Sequence, residues 1–193
     1  FLDFIIVTSV KAKRDEYAFD IFDALNTTGE PLSAVQTFLP YVYQYEEKKG
    51  AYQNSPSALC FATIDEYLDT LKTPSDRQKE TKSLVVSFAL YFNGKKLSLA
   101  LNEQRRFLRQ NYKELASQSD KRRFVKLLSE VADFKNKFWS SENIQYQWIG
   151  KPEGELVRLC LNFLRDLNNT LTIPILTRYY FKSLETSDYK IFT

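Results

Sequence analysis

Apolar residues along most of this chain recur at intervals of three and four, the spacing of one helical face. Ala18, Ile21, Phe22 and Leu25 stand at i, i+3, i+4 and i+7, and Asp15 is placed to cap the start of that helix. The pattern halts at Asn26, which tolerates the left-handed backbone that ends helices. Gly29 and Pro31 then break any continuing ladder. Ser33 opens a new helix from about 34 to 47, three residues before Gln36 in the spacing of a capping box, with Val35, Phe38, Leu39 and Val42 on its apolar face. Pro40 lies inside that helix, where a missing N–H favours a kink. Residues 1–10 differ: Phe1 to Val10 alternate weakly and are rich in Ile, Val and Phe, which predicts a buried strand needing partners from elsewhere.

Further along, the same period predicts a loop from Gly50 to Pro56 and a short helix opened by Thr63 and Glu66. That helix is lined by Ile64, Tyr67, Leu68 and Leu71 and closed at Thr73-Pro74. Ser75 and Gln78 repeat the capping spacing before Leu84, Val85, Phe88, Ala89 and Phe92, a wide stripe that Asn93-Gly94 ends. Helices follow over about 99–116 and 120–139, the second carrying Phe124, Leu127, Leu128, Val131, Phe134 and Phe138. Leu156, Leu159, Cys160, Phe163 and Leu167 line one face of a helix over 155–167, and Pro174 suits the first turn of a last helix.

Composition adds class to pattern. At 193 residues, with 44% hydrophobic and 26% charged, the chain is long enough for one substantial core and unlike a disordered segment. Its 15 Phe, 12 Tyr and 2 Trp point to a core or interface built on large rings. Cys60 and Cys160 lack metal-ligand spacing and read as small buried hydrophobes, which fits a reducing, cytoplasmic setting. With no histidine, the usual zinc ligand sets, a Ser-His-Asp triad and a Cys-His pair are all excluded from the chain. Five scattered glycines form no phosphate loop. No apolar run is long enough to span a bilayer, so no membrane partner is expected. The start at Phe1 without any methionine reads as a piece of a longer polypeptide.

Charge is uneven. The chain carries a net +3, yet residues 99–139 alone carry ten basic against five acidic side chains, which concentrates positive charge on what reads as a helical hairpin. Arg105, Arg109 and Lys113 repeat at i, i+4 and i+8 and share a face, and Arg122 and Lys126 on the next helix are further candidates for DNA contact. Such a face suits a phosphate backbone; it equally suits a solvated outer surface. The turn from Asn26 to Ser33 has two readings as well. Its free N–H groups beside a helix start could meet an anion, or it is a well-capped connection and nothing more.

Over about residues 2–40, the apolar strand, the charged link and the run Ala-Phe-x-Ile-Phe-x-x-Leu-Asn-Thr-x-Gly-x-Pro-Leu-Ser resemble the end of the N-terminal domain of GmrSD-type, modification-dependent restriction endonucleases. Phe19, Phe22, Leu25, Asn26, Thr27, Gly29, Pro31, Leu32 and Ser33 carry the match. Many relatives have Arg where Thr28 stands, an acidic residue where Gln36 stands and Lys near Leu39. The resemblance implies a ParB/sulfiredoxin-like, NTP-using domain in anti-phage defence, followed by a helical region and a C-terminal His-Asn-His nuclease. The family's Asp-Gly-Gln-Gln-Arg motif is not in this chain, and its nuclease needs histidine.

The fold expected is therefore mainly α, a multi-helix bundle behind one N-terminal strand left from a truncated α/β ParB-like domain, divided as 1–33 and 34–193. The function expected is a non-catalytic helical portion of a restriction or defence protein, coupling an NTP-using domain to DNA binding. The alternative is a purely structural or protein–protein interaction module; a third is an enzyme that shares residues with upstream sequence. Duplex DNA and the N-terminal domain of the same polypeptide are the expected partners. No metal or cofactor is expected in this chain, while the resemblance implies an NTP in the full-length protein.

Overall fold

A computed structural model describes residues 32–139 and 153–186. The expected strand at 1–10 and the helix and turn over 15–31 lie outside the described residues. Backbone contacts divide the chain into two units, Phe1–Leu32 and Ser33–Thr193, and the described helices belong to the second. Its described residues form an all-α bundle of seven α-helices: α1 (Ala34–Glu47), α2 (Pro56–Asp69), α3 (Pro74–Asn93), α4 (Leu101–Glu114), α5 (Gln118–Phe134), α6 (Glu153–Asp166) and α7 (Ile173–Thr186). A π-helical segment, Lys135–Trp139, continues α5.

Helix starts follow local chemistry. The Ser33 hydroxyl accepts from the Gln36 N–H at 3.2 Å, and the Ser33 N–H donates to Gln36 Oε1 at 2.8 Å, so the expected capping box is complete. Two other expected starts move. α2 begins at Pro56, capped by Ser55, which accepts from the Ala58 N–H. Thr63 instead lies mid-helix and bonds back to the Leu59 carbonyl. The Ser-Pro pair is a helix start because proline at the first helical position loses only an N–H that has no partner there. For α3 the cap is Thr73 rather than Ser75, again with proline next and Asp76 completing the turn. α5 starts two residues earlier than expected, under Ser117. Gly94, at φ +70°, ends α3 as expected.

The core sits around α3 and α5. α5 packs along α2 and α3, α4 lies chiefly against α1, and α7 covers α3 and α5. The two basic helices do not pack along each other: α4 and α5 are joined by a short link and meet at the rings of Tyr112 and Phe124, 6.0 Å apart, while α4 lies chiefly on α1 and α5 on α2 and α3. The 3.6-residue period aims both stripes at the aromatic centre.

That centre is a ring cluster. Phe88 and Phe92 of α3 each stand 4.8 Å from Phe124 in edge-to-face geometry, and Phe38 of α1 meets Tyr112 of α4 at 5.2 Å. Pairs of this kind contribute about 0.5–1.5 kcal/mol beyond area burial. A second cluster joins Phe134 and Phe138 to Tyr180 of α7, with Phe138 and Tyr180 at 4.9 Å. The heavy aromatic content is in large part core, one of the two uses that the composition points to.

α6 is the exception to this economy. It touches mainly the π segment and inserts Leu161. The stripe expected on one face of this helix is outside: Leu156 is 66% exposed and Phe163 63%, with Leu159 and Leu167 also exposed. Cys160 shares that exposure and Cys60 is only half-buried, which corrects the reading of both as buried hydrophobes.

Candidate nucleic-acid interface and buried ion pairs

Two α-helices carry the positive charge of the 99–139 region, and packing sorts their side chains into two groups. Arg122, in the first turns of α5, reaches the end of α1. Its Nε donates to Glu46 Oε1 at 3.1 Å and its Nη2 to Oε2 at 2.9 Å, a bidentate clamp. The Ser57 hydroxyl of α2 donates to Glu46 Oε1 at 2.7 Å. Glu46 is buried, and the Arg122 hydrogen bond holds its carboxyl below the usual glutamate range despite the opposing effect of burial. Lys126 sits 3.5 Å from Glu130 on its own helix, and Glu130 also accepts from the Tyr91 hydroxyl of α3 at 2.8 Å. These two sequence candidates are thus already engaged with acids.

The α4 candidates fare differently. Arg105 and Arg109 are half-buried and Lys113 is exposed, its Nζ 5.7 Å from the centre of the Tyr41 ring. Arg106, which the i, i+4 reading passed over, is exposed. Among the described residues neither Arg106 nor Arg109 has an ion-pair partner. With Lys113 they stand at i, i+3 and i+7, one edge of the helix.

Two buried cations escaped the sequence reading. Lys121 is buried with its Nζ over the rings of Tyr112 (4.5 Å) and Tyr45 (5.2 Å), donating to the Tyr112 carbonyl. Burial draws its pKa down. Lys135, at 1% exposure, opens the π segment and lies 2.8 Å from both Glu80 Oε2 and the Ser83 hydroxyl of α3. The Tyr67 hydroxyl of α2 donates to the same Glu80 oxygen at 2.8 Å. Burial acts to raise the Glu80 carboxyl, but the charge and hydrogen bond of Lys135 together with Tyr67 prevail and leave it below the usual range. A lysine in a basic run reads as solvent-facing, so only the apolar neighbours Phe134 and Phe138 could have signalled that Lys135 turns inward.

Of the family-type turn, Phe22, Asn26, Thr27, Gly29 and Pro31 lie outside the described residues. Leu32 is half-buried, and Ser33 serves as the α1 cap. Among the described residues no group of three or more His, Cys, Asp or Glu is placed to hold a metal ion, and no helix is long and apolar enough to cross a membrane. The chain matches no protein-family model, and no curated protein aligns with it significantly.

Proposed function

We propose that this chain is a non-catalytic helical module of a modification-dependent restriction or anti-phage defence protein, and that it grips a nucleic-acid backbone through one edge of α4. The observation that carries the DNA reading is that Arg106, Arg109 and Lys113 share an edge on which the two arginines meet no carboxylate. Cations so placed neutralise phosphates without breaking internal pairs. Arg122 leaves the contact set, since detaching it would strip the buried Glu46 carboxylate of its charge partner, and Lys126 is already paired with Glu130 at 3.5 Å. The defence setting rests on the resemblance carried by Phe22, Asn26, Thr27, Gly29, Pro31, Leu32 and Ser33. In that setting the module links an NTP-using domain to bound DNA by mechanical and electrostatic means, in the cytoplasm. Titrating labelled duplex DNA with the whole chain, and with an Arg106→Glu, Arg109→Glu double variant, tests the reading: anisotropy should rise for the parent and stay flat for the variant.

A second reading, a protein-interaction module, is favoured by one observation, the exposed stripe of Leu156, Leu159, Phe163 and Leu167 on α6. Large contiguous apolar patches on a protein surface mark interaction sites. It predicts that replacing Leu159 and Phe163 by Ser leaves DNA binding untouched and raises solubility.

A further inference from the structure

We draw no further inference here: the strongest candidate, the exposed apolar face of α6 formed by Leu156, Leu159, Phe163 and Leu167, carries none, because nothing in the structure shows what covers it.

Discussion

Lys135 and Glu80 meet across 55 positions of sequence, and Arg122 and Glu46 across 76, so each pair fastens helices that the apolar pattern alone only brings near. A buried charge that loses its partner is costly, whereas replacing both partners by apolar groups often is not. Glu80→Leu should therefore destabilise the bundle by about 3–5 kcal/mol, and adding Lys135→Met should restore most of that loss. Urea unfolding of the two variants checks it; a double variant no better than the single would mean that Lys135 is held by something other than Glu80. The same carboxylates set the acid behaviour. The folded-state pKa values of Glu46 and Glu80 both lie below the ordinary 4.5, so the unfolded chain binds more protons in that window. Their contribution is present above pH 4.5 and lost as pH falls through the folded values. Arg122→Ala should flatten this acid limb, which thermal melts between neutral and acid pH would reveal; an unchanged limb would remove Glu46 from the account.

At the scale of elements, single capping side chains decide where most of these helices begin. Thr73→Ala and Ser117→Ala should each cost about 1 kcal/mol, while Ser75→Ala, beyond the true cap, should cost far less. Chemical denaturation resolves the difference. Gly94 stands at φ +70° with open space where a Cβ would sit, so Gly94→Ala meets backbone strain and no clash. A loss of about 1–2 kcal/mol follows, and Gly94→Asn should lose less because asparagine tolerates that backbone. The capping box at Ser33 and Gln36, the Asn93-Gly94 stop and the stripes of α3 and α5 were legible because their signals are local. Thr63-Glu66 and Ser75-Gln78 misled because capping spacing also occurs by chance inside helices, and Ser-Pro or Thr-Pro just upstream was the stronger start. The π segment was not legible at all. Its residues Lys135 to Trp139 keep the helical period of α5, and only the long-range pair to Glu80 distinguishes them.

Across the whole molecule, packing decides which charges and which apolar stripes remain outside. Periodicity located the α6 stripe correctly on one face but could not say that this face points away from the core, because amphipathicity records a face and not its partner. The basic region gave a similar result. Its excess charge was readable from residue counts, as was the i,i+4 pair of Lys126 with Glu130, yet the engagement of Arg122 and Lys135, against open Arg106 and Arg109, depends on contacts from α1 and α3. Phe124, shared by Phe88, Phe92, Phe38 and Tyr112, ties four helices together. Phe124→Ala should cost about 3–5 kcal/mol and lower cooperativity throughout the bundle.

The most direct test of the proposed DNA contact is the salt dependence of duplex binding by the parent and by Arg106→Ala, Arg109→Ala, Lys113→Ala combined. Each phosphate contact releases counterions, so the logarithmic slope should be steep for the parent and shallower by about 2–3 in the triple variant, at roughly 0.9 per contact. Thermal stability should fall little, because Arg106 and Lys113 are exposed, where substitutions usually cost under about 0.5 kcal/mol, and half-buried Arg109 has no ion-pair partner among the described residues to lose. No measurable binding by the parent, or a triple variant with the parent's slope, would contradict the account and leave the α6 interaction surface as the better reading.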